Sequence, residues 1–297
     1  MVTDVGSILR AARIHEQVRV LSPDDLHAIR LGNWSRLNPD EMRRMLTDHP
    51  GRSVWLPETQ EFAVVAPWRR RQEIANILEL AAVKNPEALV QGAVERSRAS
   101  GDAVILCVEI DERRRPEFYD RVGFHLAEEV ITYELQRREE PAAPVKRVAF
   151  RRADPRLAED LDVLRTIDER AFPWLWRNST LEFVEYGADA GVELFVGYWR
   201  DAPVSYIGVT SYLGWGHLDR VAVLPDQQGQ GIGLESVRFA VQRIEQSGAK
   251  RIGLSTQRLN ERSQRLYERI GFRRSISNDY RVYARLLNMP EDVVSIT

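Results

Sequence analysis

Between Leu218 and Leu234 an apolar segment, Leu218-Asp219-Arg220-Val221-Ala222-Val223-Leu224, passes through Pro225-Asp226-Gln227-Gln228 into alternate glycines at Gly229, Gly231 and Gly233, and then into an amphipathic helix. Glycines spaced in this way take Cβ atoms out of the turn, so successive backbone N–H groups can converge on an anion at the positive end of the helix. The chain must therefore contain a strand-turn-helix unit, and the turn predicts a phosphorylated ligand. Two other glycine motifs fail on spacing. A G-x-G-x-x-G fingerprint needs glycine where Leu234 stands, and an acid ending the next strand, where Ser255-Thr256-Gln257 stand. A phosphate loop ending in Gly-Lys-Ser/Thr is absent, because the only lysines are Lys84, Lys146 and Lys250. These mismatches exclude a nicotinamide cofactor and hydrolysis of ATP or GTP.

Downstream, after the strand Arg251-Ile252-Gly253-Leu254-Ser255, comes Asn260-Glu261-Arg262-Ser263-Gln264-Arg265-Leu266-Tyr267-Glu268-Arg269-Ile270-Gly271-Phe272. Gln228-Gly229-Gln230-Gly231-Ile232-Gly233 resembles motif A of the GNAT acetyltransferase superfamily, Q/R-x-x-G-x-G/A. The segment from Asn260 resembles that family's motif B helix, N-x-x-(S/A)-x-x-L-Y-x-x-x-G-F. The resemblance implies an α/β fold with a central mixed sheet flanked by helices. It also implies acetyl-CoA as cosubstrate, its pyrophosphate held by Gln228 to Gly233 and its pantetheine amides paired with the main chain of Val221, Ala222 and Val223.

Composition is compatible with this. A chain of 297 residues has room for two domains with a core each. A formal net charge of −2 argues against general nucleic-acid binding. The single cysteine, Cys107, excludes an internal disulfide, fits a reducing cytoplasm and reads as a core residue, so an acyl-cysteine route is not expected. No apolar run reaches membrane-spanning length, the start Met1-Val2-Thr3-Asp4 is unlike a signal peptide, and no histidine cluster or cysteine pair suggests a metal.

The chain also reads as a duplication. Phe118-Tyr119-Asp120-Arg121-Val122-Gly123-Phe124 echoes Leu266 to Phe272, and Gly101 to Leu106 echoes Gly248 to Leu254. Ile77 to Val83 corresponds to His217 to Val223, but the glycine turn is missing: Lys84-Asn85-Pro86-Glu87 follows, with proline removing a donor. Asn260 is matched by Glu112 and Ser263 by Arg115. The first copy is thus expected to be degenerate and to bind no CoA. Arg137-Arg138-Glu139-Glu140-Pro141-Ala142-Ala143-Pro144 reads as exposed linker. The expected division is a degenerate domain at 1–140, a linker at 141–146 and a catalytic domain at 147–297. In the second copy we expect a strand at 148–151, helices from Pro155 to Arg170 and from a Ser179 or Thr180 cap, strands at 193–199 and 203–212, and the order β-α-α-β-β-β-α-β-α-β-β.

Chemistry can be read residue by residue. Positions 260, 263/264 and 267 share one helix face, with Leu266 and Ile270 on another. By resemblance Asn260 and Ser263 face the cofactor, and Tyr267 protonates the departing thiolate, as a phenol can. An attacking amine needs a base. His217 and Asp219 lie on one strand face just before the thioester end, acting directly or through water. Transfer would be direct, in a ternary complex, resting on positioning and oxyanion stabilisation.

The acceptor is a small-molecule or peptide amine that no motif singles out. Phe172-Pro173-Trp174-Leu175-Trp176-Arg177-Asn178 occupies the segment that walls the acceptor site in this superfamily, or packs against the first copy. The tandem arrangement resembles that of mycothiol synthase, where a sugar amine accepts acetyl. Alternatives from other classes are a non-catalytic acyl-CoA sensor and a first half that docks the acceptor.

Overall fold

In the computed structural model the described residues are 14–32, 35–110, 114–136, 147–290, 293 and 295–297. Glu112 and the expected linker at 141–146 lie outside them. The chain divides into two compact units, Met1–Ala127 with Arg281–Val293, and Glu128–Tyr280 with Val294–Thr297. This differs from the division at 140 and 147, and two strands account for the difference.

In the first unit, β1 (Arg19–Val20), β2 (Val54–Leu56), β3 (Glu61–Trp68) and β4 (Arg71–Ala81) form an antiparallel run. β4 then pairs parallel with β5 (Val104–Glu109), and the connection carries helix α2 (Pro86–Ala99), after α1 (Pro39–Asp48). A parallel pair requires such a crossover. After α3 (Pro116–Arg121), β6 covers His125–Gln136. The strand beside β5 is not β6. It is residues 281–286 of β12 (Arg273–Leu286), paired antiparallel with 104–109. Tyr283 stacks on Tyr119 with ring centroids 3.8 Å apart, inside a core that includes Ile105, Val94 and Phe124. Cys107 belongs to that core, as expected, and burial pushes its thiol up to about 11.

The second unit repeats the scheme. β7 (Ala149–Ala153), β8 (Val192–Trp199), β9 (Ala202–Tyr212) and β10 (Trp215–Val223) are antiparallel, and β10 pairs parallel with β11 (Arg251–Gln257) across helix α6 (Ile232–Gln246). β11 is flanked on its other side by residues 130–136 of β6. Helices α4 (Ala158–Ala171) and α5 (Thr180–Ala188) pack with Leu194, Tyr206 and Ala222, while α6 and α7 (Glu261–Ile270) pack with Leu218, Ile252 and Leu254. α4 begins after the expected Pro155, because Asp154 holds a turn by accepting from Arg156 N at 3.0 Å. α5 is capped by Ser179, whose hydroxyl accepts from Glu182 N. The expected pair of closing strands is one long strand, β12.

β6 follows Gly123-Phe124 just as β12 follows Gly271-Phe272, yet residues 130–136 of β6 fall in the second unit and residues 281–286 of β12 in the first. Ile131, Tyr133 and Leu135 of β6 are core residues of the second unit. Burying three such side chains is worth about 5–9 kcal/mol, which rivals the whole stability of a domain.

The turn that replaces the glycines in the first unit is filled from within. Glu61 accepts from Val83 N at 2.7 Å, Lys84 N at 2.5 Å, and Asn85 N at 3.4 Å through one oxygen, and from Asn85 Nδ2 at 2.7 Å through the other. Burial alone would raise its pKa, but these bonds hold it below the usual carboxylate value. A protein carboxylate sits where an anionic ligand would need those donors.

Two outcomes follow from this architecture. A fragment of residues 147–297 lacks β6, so it should show no cooperative thermal transition by circular dichroism; a native-like melt of that fragment would contradict the strand exchange. Glu61→Gln should lower stability by about 1–3 kcal/mol at pH 7. Because the folded pKa is depressed, that contribution is present above the unfolded pKa and fades as pH falls through the folded one. Urea titrations at pH 7 and pH 3.5 should therefore show a smaller difference at the lower pH.

Candidate functional site

β10 runs from Trp215 to Val223 but pairs with β11 over only four residue pairs, 215–218 against 251–254. Beyond Leu218 the strands part. On the other side of β10 the register with β9 shifts between Leu218 and Arg220, so Asp219 sits at a β-bulge. Bulges re-aim side chains. Here Leu218 and Val221 both join the core under α6, and Arg220 joins Asp219 on the α4–α5 face.

A cavity of about 660 Å³ opens where the strands separate, lined by Val221, Ala222 and Val223, by Gln228, Gly229, Gly231 and Gly233, and by Asn260, Ser263, Leu266 and Tyr267. Gly229 and Gly231 have φ of +83° and +84°, which L side chains rarely adopt, and Gly231 is the N-cap of α6. A Cβ at Gly231 would also lie 2.7 Å from the Arg147 guanidinium. Gly233 has ordinary helical backbone. Gln228 is held by donating its side-chain amide to Val223 O at 3.1 Å, and its carbonyl accepts from Arg262. Arg262, Arg265 and Arg269, spaced three and four along α7, also line the cavity, so its charge suits polyphosphate.

Two expected cofactor residues do not line it. Ile232 is 4% exposed and packs with Val148 and Val204, and the Gln230 side chain donates to Gln227. Asn260 lines the cavity while its carboxamide oxygen caps α7, accepting from Ser263 N at 3.1 Å. Leu266, expected on the far face, lines the cavity as well.

Tyr267 is buried. Its ring packs against Tyr133 and Phe272, with centroids 6.3 Å and 6.1 Å away. Burial pushes its hydroxyl up to about 12, partly offset by a hydrogen bond with Ser263. The corresponding residue of the first unit, Tyr119, donates its hydroxyl to Glu109 at 2.5 Å. The two tyrosines thus differ in what their hydroxyls meet.

His217 and Asp219 come together: His217 Nδ1 lies 2.6 Å from Asp219 Oδ1. The other Asp219 oxygen accepts from the Tyr186 hydroxyl and from Thr210 Oγ1, the latter at 2.6 Å. With Nδ1 donating to the carboxylate, Nε2 is the basic nitrogen. The carboxylate thus fixes the orientation of the imidazole, and neither residue lines the cavity itself.

Sequence reasoning missed the support behind the site. Asp168, fully buried, accepts from Arg220, from the Tyr206 hydroxyl and from Asn178 N at 2.8 Å. Arg220 also donates to Trp176 O at 2.9 Å and lies 3.8 Å from the Phe172 ring centroid. This network fixes the 172–178 segment, whose Phe172 and Pro173 line the cavity beside Ala171. Leu175 and Trp176 are buried, and Leu175 N donates to Ile296 O. Only the i, i+3, i+7 run of arginines on α7 was a readable sign; Asp168 and Arg220 are 52 residues apart.

Residues 161–272 match the model of the acetyltransferase (GNAT) family. A search of curated proteins yields no match. Solved structures share the fold. A GCN5-related N-acetyltransferase from Sphaerobacter thermophilus is 16% identical with a TM-score of 0.60, over 94% of this chain and 98% of that one. A probable N-acyltransferase from Enterococcus faecalis gives 10% and 0.63, over 91% and 72%. A tandem GNAT protein from the clavulanic acid biosynthesis pathway gives 12% and 0.55, over 93% and 99%. The family's chemistry is acyl transfer, and no helix among the described residues is long and apolar enough to cross a membrane. The matched segment lies in the second unit, so that unit is similar to the GNAT acetyltransferase family, and the chain shares its fold with solved structures that include a tandem GNAT protein.

Proposed function

We propose that the protein is an acetyl-CoA-dependent N-acetyltransferase with one working site, in the second unit. The observation that carries this reading is the cavity where β10 and β11 part, bounded by the glycine turn and three arginines. Backbone N–H groups at Gly229 to Gly233 and the arginines of α7 would hold the pyrophosphate. The edge at Val221 to Val223, where β11 no longer pairs and where Val223 O is held by Gln228, would pair with the pantetheine amides as a strand would. This would lay the thioester near Tyr267.

The reaction is direct transfer. The amine nitrogen attacks the thioester carbonyl, a C–N bond forms, the C–S bond breaks, and the thiolate takes a proton from Tyr267. His217, oriented by Asp219, carries the amine's released proton toward solvent through water. In the first unit Glu61 occupies the turn and Tyr119 is committed to Glu109, which supports a half that binds no CoA. The acceptor is a small-molecule or peptide amine.

Tyr267→Phe should reduce kcat by roughly 10²–10⁴-fold, with acetyl-CoA affinity unchanged by calorimetry. Equal turnover in the variant would remove Tyr267 as the acid, and no turnover by either protein on an amine panel would favour an acyl-CoA sensor. A general acid must be protonated to act, and Tyr267 is pushed up to about 12. Activity should therefore show no alkaline fall from this group near pH 10, the ordinary tyrosine value; a fall there that disappears in Tyr267→Phe would contradict the assignment.

A further inference from the structure

The cavity of the second unit holds one acid among its lining residues, Glu128, against three arginines. The arginines account for the phosphates of a CoA. Glu128 cannot, because a carboxylate repels them. It is also not on any element that the motifs identify. It stands at the start of β6, the strand that follows the first copy's Gly123-Phe124 and is used by the second unit. Its place is set by pairing: Val130 lies opposite Gln257, and Glu129 O accepts from Arg258 N at 2.7 Å. Gln257, Leu259, Phe172 and Pro173 line the same cavity.

The environment of Glu128 is that of a group awaiting a cation. It is half-buried, and burial raises its affinity for protons; the side chain of Trp176 and the backbone N–H of Glu129 offset this only in part. Trp176 is itself held through its carbonyl by Arg220. No arginine, lysine or histidine pairs with Glu128 among the described residues. A buried carboxylate is stabilised by a positive charge, and a cavity that otherwise favours anions has one place to put it.

We propose that Glu128 receives the ammonium group of the acceptor, which makes the acceptor a strongly basic aliphatic amine that is cationic at neutral pH. The inference rests on the reading of this cavity as an acetyl-transfer site and deepens it. An ammonium ion must lose two protons to become an amide. One passes to the Glu128 carboxylate, leaving a neutral amine whose lone pair forms the C–N bond. The other leaves the nitrogen as the tetrahedral adduct collapses, passing to solvent by way of His217. The electron pair of the broken C–S bond stays on sulfur, which is protonated by Tyr267; the phenolate then recovers its proton from solvent, and Glu128 releases its own. The ionised form of Glu128 is the one that binds, so the acidic limb of kcat/KM belongs to it. Phe172, Pro173, Gln257, Leu259 and Tyr267 line the same cavity, the Trp176 side chain and the Glu129 backbone N–H bond to Glu128, the Glu129 carboxylate raises its proton affinity further, and the other charged groups lining the cavity are Arg262, Arg265 and Arg269.

The test uses the full-length chain and its Glu128→Gln and Glu128→Asp variants with two sets of amines, strongly basic aliphatic amines and weakly basic aromatic amines that are neutral at pH 7. Expected for Glu128→Gln is a loss of roughly 30-fold or more in kcat/KM toward the aliphatic set, with the aromatic set and acetyl-CoA affinity within about threefold and the acidic limb of the pH profile gone. Glu128→Asp should restore part of the loss. Equal losses for both sets would make Glu128 a structural partner of Trp176 and overturn the proposal, as would an unchanged aliphatic-to-aromatic ratio. Binding is read separately, by calorimetry of the aliphatic amines against the protein with coenzyme A. Failure of acetyl-CoA to bind the wild type would sink the acetyltransferase reading, whereas acetyl-CoA binding with no Glu128-dependent amine binding sinks this one alone.

Discussion

The parting of β10 and β11 is the constraint on which the second unit's cavity depends. Two parallel strands that stayed paired to their ends would close the sheet and bury the donors of Val221 to Val223. Pairing stops at Leu218 and Leu254, and the bulge at Asp219 changes which residues face which side. One local irregularity therefore opens a cavity, exposes a strand edge along it, and turns Asp219 toward Tyr186, Thr210 and His217. The glycine turn follows directly, and its left-handed positions at Gly229 and Gly231 are ones that a side chain would strain.

The placement of β6 and β12 ties the two halves of the chain together in the fold. The first unit has no glycine turn, yet the strand that follows its Gly123-Phe124 completes the second unit's sheet with residues 130–136, while residues 281–286 complete the first. In the first unit, the donors of the equivalent turn are satisfied by Glu61, and the equivalent tyrosine by Glu109. Its turn donors and its tyrosine are thus met by its own carboxylates.

What was legible in the sequence is what local geometry dictates. Glycine at positive φ, an asparagine cap three residues before Ser263 and a Gly-Phe ending leave marks that spacing reveals, so the turn, α6 and α7 were readable. Residues 125–136 carry no motif, and local patterning holds no information about which strand pairs with which, so the exchange was not. Glu61 reaches a turn more than twenty residues away, and Asp168 meets Arg220 52 residues on; such pairs follow only from the fold. Ile232 shows the converse, a residue inside the motif whose side chain belongs to the core.

The central claim is a single acetyl-CoA site, built on the glycine turn of the second unit. Isothermal titration of the whole chain with acetyl-CoA, repeated on Gly231→Glu, tests it most directly, since the substitution places a side chain and a negative charge where the pyrophosphate would lie. The account predicts one site per chain in the wild type and none in the variant, with both proteins folded. Two sites, or one site that survives the substitution, would contradict it.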